Sequence, residues 1–225
     1  TGLKLLRSGA GLIVTTRFPR DAAARYAQEP DFGEWGGRLD IYGLDLRHAP
    51  SVEAFCRDLL ASRSRLDVII NNACQTVRRP PDFYAHMMAR ETASIANATD
   101  VVRKLVARYE DLQSARPQPS GDVLARVADG PAPAGMVGLA NAPQLSQLRL
   151  LEGEMLAQPE LFPDGQLDQD LQQVDLRQRN SWRLLLADVS TVELLEVQLV
   201  NAVAPFILNA RLKSLMLRTP ERDKH

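Results

Sequence analysis

The apolar positions of this chain change period several times, and each change marks an element. Residues 3–8, LKLLRS, carry leucines at helical spacing and stop at Gly9, which suits the left-handed backbone that closes a helix. LIVTT (12–16) follows, a short β-branched run that predicts a buried strand. Pro19 opens a short helix over RDAAARYAQ. GRLDIYGLDL (37–46) contains a second strand, with Leu39, Ile41 and Leu44 at its apolar positions. Pro50 and Ser51 start a helix whose Val52, Phe55, Cys56, Leu59 and Leu60 share one face. Residues 66–70, LDVII, supply a third strand.

Strand, helix, strand, helix, strand with near-continuous apolar strands predicts a parallel sheet covered by helices on both faces, an α/β, Rossmann-like architecture. Ligands of such sheets bind beyond the carboxyl ends of the strands. The chemistry is therefore sought at Thr16-Arg17, Asp45-Leu46 and Asn71-Asn72-Ala73.

Residues 1–88 read as the first part of this domain. From 89 to 180 the pattern weakens into proline and glycine clusters (ARPQPSG, ADGPAPAGMVG) and a polar run, DGQLDQDLQQVDLRQR. So long a connection predicts an insertion, part helical and part disordered, and it leaves the sheet incomplete as well as interrupted. VVRKLVARY (101–109) is its clearest helical piece. Order returns near Trp182, and residues 181–225 bring a long helix back to the domain. Ser190 with Glu193 forms a capping box for it. Leu195, Leu199, Val203, Phe206, Ile207, Ala210 and Met216 are expected on its buried side, and Pro220 stops it.

Composition narrows the picture. With 225 residues, 45% apolar and 24% charged, the chain has the balance of a soluble globular protein with one core and an insertion. A net charge of −1 offers no general attraction to nucleic acid or an anionic membrane, and no partner of either kind is expected. No run approaches about 18 consecutive apolar residues, so no membrane-spanning helix is expected. Cys56 and Cys74 lack metal-ligand spacing, and His48, His86 and His225 are scattered, so no metal site is expected. Two isolated thiols fit a reducing compartment, and a cytoplasmic location is the expectation.

Three stretches together carry a resemblance. GLDLRHAPSVEAF, then LDVIINNACQT, then LLEVQLVNAVAPFILNARLKSLM resemble a short-chain dehydrogenase/reductase, in which a strand ends in NNAG and a later helix carries an asparagine ahead of a proline-phenylalanine pair. The resemblance covers roughly residues 3–88 and 181–219. It implies that Asn71 and Asn72 tie strand ends together, that the backbone at Asn72 and Ala73 passes beside the cofactor's adenosine, and that Asp45 and Leu46 lie by the adenine. It implies a nicotinamide cofactor and a small carbonyl or alcohol substrate. Arg17 stands where an acid would select NAD; an arginine there can pair with the 2′-phosphate, so NADP is the expected cofactor. Asn201 matches the family's catalytic asparagine, whose backbone carbonyl holds a proton-relay water. Here Pro205 supplies no N–H to that carbonyl, which leaves it unpaired in a regular helix and bends the helix. The long helix is the surface through which a homo-oligomer would be expected to form.

Two departures stand beside these matches. The family's TGxxxGxG loop is absent, and its expected place, with the central strand, is upstream of Thr1. None of Tyr26, Tyr42, Tyr84 or Tyr109 has a lysine four residues on, so the catalytic Tyr-Lys pair is expected beyond ERDKH. Cys74 also replaces the glycine of NNAG. The leading reading is a fragment of an NADP-dependent oxidoreductase, inactive alone. The alternative is a truncated, non-catalytic relative acting as an interaction or binding module. Another nucleotide-binding α/β protein, such as a methyltransferase, fits the strands but not Asn201-Pro205.

Overall fold

The structure is a computed structural model that describes residues 1–76, 78–114, 141–154, 158–169, 173–178, 180–181, 183–221 and 223–225. Trp182 and the proline and glycine clusters of 115–140 lie outside the described residues.

Helix α1 (Gly2–Arg7) leads through Gly9, at φ +91°, into β1 (Leu12–Thr16). Helix α2 (Pro19–Ala27) and the short α3 (Phe32–Trp35) precede β2 (Leu39–Gly43). The strands pair in parallel, in register from Leu12 opposite Leu39 to Thr16 opposite Gly43. Alternation along β2 divides the core between the two faces of this ribbon. Leu39 and Ile41 pack with Leu6, Ala23 and Trp35 on one face. Tyr42 and Leu44 pack on the other with Val52, Phe55, Cys56 and Leu59 of α4 (Ala49–Ser62). Each fully buried aliphatic side chain contributes roughly 1.5–3 kcal/mol.

A 3₁₀ turn (Pro81–Tyr84) and α5 (Ala85–Thr92) lead to α6 (Asp100–Ser114). Val102, Leu105 and Val106 of α6 join the face shared with α2, so this helix packs on the sheet. Its Tyr109 ring lies against Gly43, where an added Cβ would overlap the ring. After the short α7 (Ala142–Leu145), the chain returns as α8 (Thr191–Gln198), a π-helical turn (Leu199–Val203) and α9 (Ala204–Met216). The Ser190 hydroxyl accepts from the Glu193 N–H at 3.1 Å, as the capping box requires. Helix α9 lies along α4, burying Ala204, Ile207, Leu212 and Leu215.

Two sequence expectations differ. Residues 66–70 join no sheet among the described residues; β1 pairs with β2 only. Leu66 and Ile69 pack on the core, but Val68 and Ile70 are 48% and 50% exposed. The Ile69 N–H donates to the His225 carbonyl at 2.7 Å, and the His225 N–H to Asp67 at 3.0 Å. Apolar alternation reports burial, whereas a strand also needs a neighbour to supply donors and acceptors. This segment has one residue's worth.

The long helix buries a different face from the one expected. Ile207 is inside, but Leu195, Val203, Phe206 and Ala210 are exposed, and Leu199 and Met216 are half-buried. Glu193 and Glu196 are buried instead, with Val200 between them and Ala204. Arginines on neighbouring loops draw Glu196 inward. The 26 residues Thr191–Met216 are also long and apolar enough, by length and composition, to cross a membrane. No membrane span was expected from the sequence. The two buried acids face the folded domain.

Candidate functional site

The ends of β1 and β2, Ala73 to Gln75, Arg78, Arg79, Tyr84 and the α8 side of the long helix enclose a cavity of about 310 Å³. Arg17, Asp45, Leu46 and Ala73 all line it, joined by Cys74, Gln75, Arg47 and Glu196. Four of the five expected cofactor residues thus share one cavity. Asn72 is exposed and does not line it.

At the end of β1 the Phe18 N–H donates to Thr16 Oγ1 at 3.2 Å, closing a small turn that places Arg17 over the cavity. Arg17 Nη2 donates to Tyr84 Oη at 2.7 Å. The Arg17 guanidinium carbon stands 4.4 Å from the Tyr84 ring centre and 5.6 Å from that of Phe18.

At the end of β2 the buried Asp45 is engaged from several sides. The Arg47 N–H donates to Asp45 Oδ1 at 2.9 Å, an Asx turn, and the Arg47 guanidinium forks onto both oxygens, with Nη2 at 2.6 Å. Burial raises the Asp45 carboxyl's proton affinity, but the Arg47 bonds outweigh it and hold the group below the usual carboxylate range. Arg47 Nη1 also reaches Glu196 at 2.8 Å. Arg78, buried, pairs with Glu196 at 2.9 Å and with Glu154, while Arg79 pairs with Asp175. Arg47, Arg78 and Arg79 are therefore neutralised. Arg17 alone of the cavity's arginines forms no ion pair with a carboxylate among the described residues, although its charge also helps to hold Asp45 ionised.

Asn71 Nδ2 donates to Asn209 Oδ1 of α9 at 3.2 Å, so it ties the segment to the helix rather than to a strand. Asn201 lies just outside the cavity lining and grips its wall. Its Oδ1 accepts from the Gln75 N–H at 2.8 Å and its Nδ2 donates to the Gln75 carbonyl at 3.0 Å. The side chain thus mimics a strand partner for Gln75. It stands on the π turn, where the Ala204 N–H reaches back to the Leu199 carbonyl, one residue before Pro205. Such turns are frequent at functional sites.

Sequence reading missed Tyr84, Arg47 and Glu196. Arg47, two residues after a strand-ending aspartate, carried the signal of an Asx turn. Glu196 was an acid on an apolar helix. Nothing local distinguished Tyr84 in PPDFY. The residues could hold part of a nicotinamide dinucleotide. Arg17 presents a guanidinium without an ion-pair partner among the described residues to a phosphate, and Leu46 and Ala73 give apolar wall. The volume, at the small end for ligand pockets, suits a nucleoside phosphate rather than a whole dinucleotide.

No protein-family model matches the chain, and no solved structure matches it. The chain is similar to the uncharacterized protein R665 of Acanthamoeba polyphaga mimivirus, 36% identical over 107 residues, covering 45% of this chain and 23% of that protein. It is also similar to retinol dehydrogenase 14 of Mus musculus, 40% identical over 84 residues, and of Homo sapiens, 39% over 85 residues. These two matches cover 32% of this chain and 25% of each relative. The chain spans about a quarter of the length of the curated relatives it matches. Over about a third of its residues, then, it has partial similarity to an oxidoreductase of the short-chain dehydrogenase/reductase kind.

Proposed function

We propose that this chain is the adenosine-phosphate-binding part of an NADP(H)-dependent oxidoreductase of short-chain dehydrogenase/reductase type, acting on a carbonyl or alcohol. The observation that carries the reading is Arg17: a guanidinium at a strand end that forms no ion pair among the described residues, in one cavity with Asp45, Leu46 and Ala73. The cofactor would supply the hydride. Arg17 binds the 2′-phosphate, and Leu46 and Ala73 flank the adenine. Asp45, anionic and fixed by Arg47, shapes the strand end. Asn201 positions Gln75, and its backbone carbonyl, to which Pro205 has no N–H to give, is the group assigned to a proton-carrying water. A second cavity of about 330 Å³, reached past Arg78 and walled by Leu151, Phe162 and Leu184, is the place for the substrate. Similarity to a protein named retinol dehydrogenase supports an alcohol or aldehyde as substrate class.

Isothermal titration of the chain with NADPH and NADH tests this. Tighter binding of NADPH, lost in Arg17→Gln, is the expected result; equal affinities, or none, overturn it. A second reading rests on a different observation. Leu195, Phe206 and Leu217 on the long helix are 57%, 68% and 70% exposed, which favours an interaction module or a homo-oligomer through this face. A sedimentation series that stays monomeric at high concentration would remove it.

A further inference from the structure

We propose that Tyr84 and Arg17 form a two-residue phosphate clip, in which Tyr84 is the specificity-determining partner that sets the guanidinium and donates its own hydroxyl proton to the ligand. The inference rests on the nucleotide-binding reading above and assigns a role to a residue that it leaves idle. Tyr84 belongs to the 3₁₀ turn Pro81–Tyr84, far from Arg17 in sequence, yet its hydroxyl oxygen accepts from Arg17 Nη2 at 2.7 Å. Accepting that bond leaves the phenolic proton uncommitted, since no acceptor for it occurs among the described residues. Both residues line the same cavity, so guanidinium and phenol present donors to one point in it.

The ring also fixes the cation. Arg17 stands 4.4 Å from the Tyr84 ring centre and 5.6 Å from the Phe18 centre, and those two rings lie 5.2 Å apart. Phe83 supports Tyr84 edge-on at 5.0 Å. A guanidinium held against two rings loses little rotamer freedom on meeting an anion, so binding costs less entropy. Guanidinium plus phenol, with no carboxylate on Arg17, is chemistry for a dianionic phosphate monoester. The ligand class is a nucleoside carrying such a group at the ribose.

The probes are 2′,5′-ADP, 3′,5′-ADP and 5′-AMP, titrated by calorimetry into the full chain and into Tyr84→Phe, Tyr84→Leu and Arg17→Gln, with folding checked by circular dichroism. Wild type should prefer 2′,5′-ADP over 5′-AMP. Tyr84→Phe, keeping the ring but losing the hydroxyl, should cut that preference roughly tenfold. Tyr84→Leu should cut it further, and 5′-AMP affinity should stay unchanged in both. A preference for 3′,5′-ADP that responds to Tyr84 in the same way supports the clip with a different phosphate source. Loss of preference in Arg17→Gln alone, with both Tyr84 variants like wild type, overturns the clip and leaves the nucleotide reading standing. No preference in wild type overturns both. A parallel loss of all three probes in the Tyr84 variants marks Tyr84 as merely structural and overturns the clip.

Discussion

Glu91 shows how one buried group couples this fold to pH. Its side chain accepts the Asp21 N–H at 2.9 Å, satisfying a donor in the first turn of α2, and it forms no ion pair among the described residues; Arg20 instead bonds the Glu91 carbonyl and the Glu110 carboxylate. Burial pushes the Glu91 carboxyl from 4.5 up to about 7, with the backbone bonds and Arg20 only partly opposing it. The folded state therefore holds more protons than the unfolded state between those values, and stability falls as pH rises through that window. Glu91→Gln keeps the acceptor and removes the charge. It should stabilise the protein by about 1–2 kcal/mol near pH 8 and by nothing near pH 4, read from urea midpoints. Gly43 makes a steric prediction. Its missing Cβ leaves room for the Tyr109 ring, so Gly43→Ala should cost roughly 1–3 kcal/mol, and pairing it with Tyr109→Leu should recover part of that loss. At this scale the sequence showed what the strand ends offered. Arg17, Asp45 and Leu46 do meet, because a parallel pair brings its carboxyl ends together whatever lies between them in the chain; Ala73 joins them although its segment is in no sheet. Tyr84 was invisible because its partner is 67 residues away and no period connects them.

Among the elements, those defined by their own sequence were legible. Gly9 closes α1, Pro19 opens α2 and Ser190 caps α8, since each end is decided within a few residues. Residues 66–70 were misread because strand formation depends on a neighbour that periodicity cannot reveal. The long helix was misread because an apolar count cannot foresee an acid, Glu196, drawn inward by Arg47 and Arg78, which lie far from it in the chain. The grip of Asn201 on Gln75 is the element-scale contact with the clearest consequence. Asn201→Ala should speed exchange of the Gln75 amide about tenfold or more, by removing the one acceptor that protects it, while amides of α4 exchange as before. Unchanged exchange at Gln75 would mean that the loop holds its own position.

The whole molecule is tied together through a chain of charges. Asp45, Arg47, Glu196, Arg78 and Glu154 run from the end of β2, across the long helix, to residues beyond α7, and Glu196 receives two guanidinium groups at its centre. Glu196→Ala should cost about 3–5 kcal/mol, because it leaves buried guanidinium charge uncompensated. Glu196→Ala combined with Arg78→Met should cost less than the sum of the two single changes, measured by denaturant titration. No local pattern announces such a network, which is why Glu196 is not among the residues the sequence singled out. The two thiols have a further, practical consequence. Cys56 is buried and its thiol is pushed up to about 12, chiefly by burial, whereas Cys74 is exposed on the cavity wall. A maleimide dye should therefore add one mass increment, at Cys74, and 2′,5′-ADP should slow its arrival. The chain comes with its own optical handle at the mouth of the site, already singly addressable without engineering.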